Sequence, residues 1–162
     1  MTGALKGEVT IREPTRAQQA TARRVAEAKA TIPDITVEAE LEIDAVSAVR
    51  GELLDAWGTD EAPQLGDFLI KACGLALREF PTLNASYRDG RFELYSRVNI
   101  GTTVVGDGVL SAPTILDADR KDLREIARES RRLAHRVRDG AISPAELAGA
   151  TFTISDLSMH RV

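Results

Sequence analysis

The stretch DGAISPAELAGATFTIS occupies residues 139–155 and carries the clearest signals in the chain. Its opening Asp-Gly pair predicts the end of a helix, because glycine adopts the left-handed conformation that commonly follows one. Ser143 followed by Pro144 predicts a short helix, with serine at the N-cap and proline at the first helical position. The segment 151–154 then predicts a strand. Helix end, short helix and strand in immediate succession indicate an α/β fold.

Helices are predicted on both sides of a strand-rich middle. The segment 119–137 is amphipathic, so we expect one face to point inward. The segment 65–80 is apolar on nearly every side, which predicts a central buried helix. Two earlier helices are expected, one from an N-cap at Thr15 to about residue 30 and one from an N-cap at Asp44 through Trp57.

Strand signals fill the remaining segments. Apolar and polar residues alternate over 35–43, which predicts a half-buried strand. The pair Asp89-Gly90 predicts a hairpin between short strands. Further strands are expected over 98–105 and 109–115. This order of helices, hairpins and strands predicts an α/β protein with a mixed sheet.

Composition limits the classes of function. The 162 residues, 43% of them apolar, predict one globular unit after a flexible arm over 1–11. A net charge of −4 argues against nonspecific nucleic-acid binding. One cysteine and two histidines argue against a disulfide and against a metal site. Without a long apolar run or a signal peptide, we expect a soluble cytoplasmic protein that does not enter a membrane.

Five features admit a catalytic or binding role besides a structural one. Cys73 is favoured as a small buried hydrophobe over a reactive thiol. His135 is favoured as a solvated residue on a helix face over a general base. His160 is favoured as a residue of the chain terminus over a general base. The Gly-Asp-Gly segment 106–108 is favoured as a turn over a phosphate loop. The basic residues of the helix over 119–137 are favoured as a solvated face with i,i+4 ion pairs over an anion site.

Four stretches together resemble a known family. They are ARRVAEAKATIP at 22–33, VNIG at 98–101, DADRKDLREIA at 117–127 and the stretch at 139–155. In order and spacing they resemble the catalytic domain of the 2-oxoacid dehydrogenase acyltransferases, the E2 components of pyruvate and branched-chain complexes. The resemblance covers about residues 12–162.

The resemblance implies the two-layer α/β fold of chloramphenicol acetyltransferase, assembled as a homotrimer or larger oligomer. Its active site is a channel between subunits, where acyl-CoA enters at one end. The acceptor enters at the other end and is a lipoyl group on a partner, a carrier-bound group or a small molecule. A histidine removes the proton from the attacking thiol, and a serine hydroxyl donates a hydrogen bond to the oxyanion. A short acyl group is thereby transferred to a thiol or a hydroxyl.

The resemblance also implies roles for individual residues. Ser155 falls on the oxyanion serine, with a strand-end capping serine as the alternative. Arg16 is implied as an arginine that forms an ion pair with an aspartate of the histidine motif. The resemblance also implies that four residues line the wall of the substrate channel: Gly101, Thr102, Thr103 and Asp156. The family's usual Ser-Asn-Leu-Gly is Ser-Asp-Leu-Ser from Ser155 here, and hydroxyls stand at Thr102 and Thr103 on a wall that is usually apolar.

Departures from the family pattern concern the general base. The family carries it in an Asp-His-Arg motif well beyond the serine, whereas His160 follows Met159 and matches the loop after the serine. We therefore expect a domain that lacks its C-terminal portion, is inactive alone and is free-standing, without a lipoyl domain. The alternative is a non-catalytic half-domain that acts in assembly or binding, or one part of a split enzyme.

Overall fold

The computed structural model describes residues 7–106 and 109–157. The chain divides into two compact units, with the boundary between Val37 and Glu38. The first unit contains helix α1, Arg16–Thr31. Thr15 begins it with a reciprocal cap, since its Oγ1 accepts from the Gln18 N–H and its own N–H donates to Gln18 Oε1. The predicted helix and its Thr15 cap are confirmed.

Within the described residues, the second unit contains three further helices and all of the strands. The helices are α2 (Asp44–Trp57), α3 (Leu65–Glu79) and α4 (Leu123–Arg138), with short 3-10 turns at Pro81–Leu83 and Pro144–Leu147. The strands are β1 (Ala85–Arg88), β2 (Arg91–Leu94), β3 (Ile100–Thr102), β4 (Val104–Gly106), β5 (Val109–Ser111), β6 (Thr114–Ile115) and β7 (Phe152–Ile154). Among the described residues, no helix is both long and apolar enough to cross a membrane.

The central sheet is mixed, as predicted. Strand β3 lies in its middle, antiparallel to β6 on one side and parallel to β7 on the other. Strands β4 and β5 form a separate antiparallel hairpin, and so do β1 and β2. The β1–β2 turn has positive φ at both Asp89 and Gly90, 50° and 77°, as a two-residue turn that matches strand twist requires.

The core of the second unit lies between the central sheet and helices α3 and α4. Its buried members are Ile70, Leu77, Val98, Ile100, Ile115, Ala118, Ile126 and Leu133. Helix α4 begins at Leu123, four residues later than expected, because Asp122 caps it by accepting from the Glu125 N–H at 2.8 Å. The short helix after Ser143 is confirmed as a 3-10 turn with a Ser143–Glu146 capping box.

The strand predicted over 35–43 is wrong. This segment contains no strand, and Ile35, Val37 and Leu41 are 91%, 85% and 77% exposed. Alternation gives a segment two different faces, but a strand also needs a neighbour for its N–H and C=O groups. Within 7–106 and 109–157, no strand pairs with this segment.

Helix α3 is present, but its predicted burial on all sides is wrong. One face is buried through Ile70, Gly74 and Leu77, whereas Leu69 and Leu75 on the opposite face are 37% and 51% exposed. The sequence shows which residues of a helix are apolar, but it does not show whether another segment packs over each of them.

Three boundaries also differ from the expectations. Asp44 is the first residue of α2 rather than its N-cap, which is Ile43. The expected strand over 98–105 is interrupted at Thr103, and that over 109–115 is interrupted at 112–113, where Pro113 lacks an N–H for the ladder.

Candidate active site

The carboxyl ends of β3 and β7 bring the predicted site residues to one edge of the central sheet. The two strands are parallel, with Thr102 opposite Ile154. Thr103, just after β3, donates its N–H to the Ile154 carbonyl at 3.0 Å. Ser155 therefore comes directly after Ile154, whose carbonyl accepts a hydrogen bond from the end of the neighbouring strand.

Gly101 allows β3 and the segment before β7 to approach closely. A Cβ at this position would stand 3.2 Å from the Ala150 Cβ and 3.4 Å from the Thr153 Oγ1. Gly101 is buried within this contact rather than lining open space. Its predicted place in the channel wall stays a prediction.

Asn99 connects three segments at the start of β3. Its Nδ2 donates to the Gly149 carbonyl at 2.8 Å, and its Oδ1 accepts from the Asp117 N–H at 2.9 Å. Its backbone N–H donates to the Thr151 Oγ1 at 3.1 Å. The side chain is buried, so these bonds fix the segment before β7 against β3. The asparagine of the VNIG stretch thus has a structural role.

A cleft of 390 Å³ opens beside this sheet edge. Three predicted channel residues line it: Thr102, Thr103 and Asp156. The first turn of α3 and the last two turns of α4 form other parts of its wall, through residues that include Gly66, Asp67, Arg131, His135 and Arg138. Ser155 is exposed but is not among the lining residues.

Asp67 is a buried acid in this cleft that the sequence analysis did not identify. It is 4% exposed, and its Oδ2 accepts from the Gln64 N–H at 2.8 Å. Burial raises its pKa above the ordinary aspartate value, although Gln64, Ser130 and Arg131 act in the opposite direction. The spacing of Gln64 and Asp67 at the start of an apolar helix was the signal for this cap.

The other candidate residues have different outcomes. His135 is exposed on α4, as expected for a solvated helix face, although it also lines the cleft. Cys73 packs against the core, and burial raises the pKa of its thiol, which supports the buried-hydrophobe interpretation. His160 and residues 107–108 lie outside the described residues.

The basic residues of α4 do form ion pairs, but the partners differ from the expected i,i+4 pattern. Arg132 donates to Glu146 Oε1 at 2.7 Å and Arg136 donates to Glu146 Oε2 at 3.0 Å. The Ser143 N–H, then Arg132 and the Ser143 hydroxyl, hold the pKa of Glu146 at about 2. Arg124 likewise pairs with Glu61 of another segment. These ion pairs join α4 to other segments of the chain, rather than linking residues of α4 to one another on a solvated face.

Arg16 stands at the first position of α1 and is exposed. Its predicted ion pair stays a prediction. Over the described ranges, no three His, Cys, Asp or Glu side chains lie together as they would to hold a metal ion.

Comparisons with known proteins agree with this architecture. A family model described as 2-oxoacid dehydrogenases acyltransferase (catalytic domain) matches residues 6–162. The dihydrolipoyllysine-residue acetyltransferase component of the pyruvate dehydrogenase complex from Rickettsia prowazekii is 31% identical over 143 residues, which are 87% of this chain and 35% of that protein.

Two solved structures share the fold. One is the dihydrolipoamide acetyltransferase of Azotobacter vinelandii, studied for the roles of a serine, a histidine and an asparagine in its catalytic mechanism. It has a TM-score of 0.90 and 28% identity, over 97% of this chain and 66% of that one. The cubic core of a pyruvate dehydrogenase multienzyme complex gives the same values. The expected fold class is confirmed. The chain spans about a third of the Rickettsia relative and two thirds of these solved chains.

Proposed function

Because the chain belongs to the 2-oxoacid dehydrogenase acyltransferase family and matches its catalytic domain, we propose that it transfers a short acyl group between coenzyme A and a thiol or hydroxyl acceptor. A lipoyl group carried by a partner is the first acceptor to test. The observation that carries the proposal is the position of Ser155, at the end of β7 and beside the cleft bordered by Thr102, Thr103 and Asp156.

The reaction requires one new bond and one broken bond at the acyl carbon. The acceptor thiol loses its proton to a general base and its sulfur attacks the thioester carbonyl. The carbonyl oxygen then carries a negative charge, until the intermediate collapses and releases the leaving thiol, which takes up the proton. A hydrogen-bond donor aimed at that oxygen lowers the barrier by about 3 kcal/mol.

Ser155 is the proposed donor to this oxygen. Its hydroxyl extends from a strand end held by the Thr103–Ile154 hydrogen bond, so the backbone that carries it is fixed. The residue is exposed in the single chain. A donor of this kind acts best where water is excluded, which supports a second subunit that covers the cleft in a trimer or larger assembly.

The cleft wall indicates which substrates fit. Thr102 and Thr103 present hydroxyls at the end of β3, and Asp156 contributes a carboxylate beside them. A wall with these groups favours a polar acyl group or acceptor over a purely aliphatic one, because polar substrate groups need partners when they leave water.

The general base is proposed to come from residues other than these. His135 follows Ala134 and His160 follows Met159, so neither stands in an Asp-His-Arg sequence. We therefore expect no turnover by the 162 residues alone and turnover once a segment with the Asp-His-Arg motif is supplied.

The test is transfer from acetyl-CoA to dihydrolipoamide, followed by release of free CoA. We expect the chain alone to release no free CoA. A fusion with the residues that follow the matching strand in the Azotobacter enzyme should be active. His160→Ala in the fusion should leave the rate unchanged, and a loss of turnover would assign the base to His160 instead.

A non-catalytic assembly module is the second candidate, and the exposed apolar face of α3 favours it. Sedimentation of the chain together with the acyl-transfer assay separates the two functions. A stable oligomer of the fusion without acyl transfer would support the assembly module. A monomer would contradict the channel between subunits.

A further inference from the structure

Asp156 is the residue directly after the proposed oxyanion serine, and its side chain reaches the start of helix α3. Its Oδ2 lies 3.3 Å from the point where a Cβ on Gly66 would stand. Gly66 is the second residue of α3, so the carboxylate lies at the first turn of that helix. Asp156 is exposed, and it takes part in an interaction of the chain.

The first turn of a helix suits a carboxylate. Its N–H groups have no acceptor within the helix, and the helix dipole places positive charge there. Asp67 accepts from the N–H of the N-cap residue Gln64, and its own N–H donates to the Gln64 carbonyl at 3.0 Å. Glycine at position 66 leaves the space that the Asp156 carboxylate needs.

Helix α3 is itself firmly held. Ile70 and Leu77 are in the core, and a Cβ on Gly74 would stand 3.0 Å from the Asp119 backbone nitrogen. A side chain that reaches the start of α3 is therefore in contact with a rigid element.

We propose that Asp156 is a positioning residue for Ser155, which it holds from the carboxyl side by contact with the first turn of α3 at Gly66. The Thr103 N–H holds the Ile154 carbonyl on the other side of the serine. Ser155 is thus fixed at both neighbours while its hydroxyl stays exposed. This inference rests on the proposed function for the role of the serine, but the contact itself does not.

Amide hydrogen exchange tests the contact in the chain as it is. In Asp156→Ala, the strand end loosens, so the Thr103 N–H that donates to Ile154 should exchange about tenfold faster. The neighbouring Thr102 N–H donates to Pro113 on the opposite side of β3 and should keep its rate. Equal acceleration at both amides, or at neither, would overturn the inference.

A glycine pair provides the matched control. Gly66→Ala places a methyl group against the carboxylate and should accelerate exchange at Thr103. Gly51→Ala in α2 meets nothing within 4 Å and should not. Identical Thr103 rates in the two variants would contradict the contact.

Kinetics of the acyl-transferring fusion test the consequence. Asp156→Ala should lower kcat by up to about 10²-fold with little change in the KM for acetyl-CoA, because a displaced catalytic group affects the transition state most. Asp156→Asn retains an acceptor oxygen and should restore most of kcat. An unchanged kcat in Asp156→Ala would overturn the positioning role. If the unmodified fusion transfers no acyl group, the proposed function fails while the exchange result still decides the contact.

Discussion

Two polar side chains in this protein form hydrogen bonds that join separate segments of the chain. Glu146 and Asn99 each collect several hydrogen bonds from parts of the chain that are distant in sequence. The sequence marks both positions only weakly, because a polar residue in a loop carries no periodicity. Only the hydrogen-bond distances in the structure show that these two residues join segments.

Glu146 should make stability depend on acid pH. Its folded-state pKa of about 2 lies below the ordinary value of 4.5. The stabilisation is therefore complete above pH 4.5 and is lost as the pH falls through 2. Urea unfolding between pH 6 and 2 should show a steeper loss for the wild-type chain than for Glu146→Gln. Parallel curves would show that the Ser143, Arg132 and Arg136 contacts do not set this pKa.

Asn99→Ala should destabilise the chain at every pH. It removes the hydrogen bonds to the Gly149 carbonyl and from the Asp117 N–H, at about 0.5–1.5 kcal/mol for each bond. The free energy of unfolding in urea measures the loss. A change below about 1 kcal/mol would mean that water replaces the amide at both groups.

At the scale of elements, local signals predicted helices well and strand pairing poorly. The Thr15 cap, the Asp89-Gly90 turn and the Ser143 cap depend on a few neighbouring residues, so the sequence contains what is needed. The segment 35–43 has the alternation of a strand but lacks a partner in the described chain. Pairing depends on distant segments, which a local pattern does not contain.

Close contact between β4 and the end of α4 makes a prediction about packing. A Cβ on Gly106 would stand 2.5 Å from the Val137 carbonyl oxygen, so Gly106→Ala should destabilise by about 1–3 kcal/mol. Gly51→Ala, in open space within α2, should instead stabilise by up to about 1 kcal/mol. Chemical unfolding of both variants compares them. Stabilisation by both would show that β4 and α4 separate easily.

At the scale of the whole molecule, the uneven burial of α3 is the most informative feature. Ile70 is 2% exposed, so Ile70→Ala should cost about 2–5 kcal/mol. Leu75 is 51% exposed, so Leu75→Ala should cost less than about 1 kcal/mol in the single chain. Thermal unfolding of the two variants checks the contrast. A large loss for Leu75→Ala in the chain would mean that its outer face is already covered, for example by a second copy.

The candidate site could be predicted in part. Ser155, Thr102, Thr103 and Asp156 were expected from the resemblance, and the parallel pairing of β3 with β7 brings their segments together. Asp67 could not be expected as a cleft residue, because its burial depends on α4 packing over the start of α3. The same applies to the contact between Asp156 and Gly66, which joins two segments far apart in the sequence.

The most direct test of the central claim is the kinetic effect of Ser155→Ala on acyl transfer by the fusion enzyme, with Ser47→Ala on exposed α2 as the control. Loss of an oxyanion donor should lower kcat by about 10²–10³-fold and leave the KM for acetyl-CoA nearly unchanged. The control should retain full activity. A kcat within about threefold of the unmodified enzyme would contradict the assignment of Ser155 as the oxyanion donor.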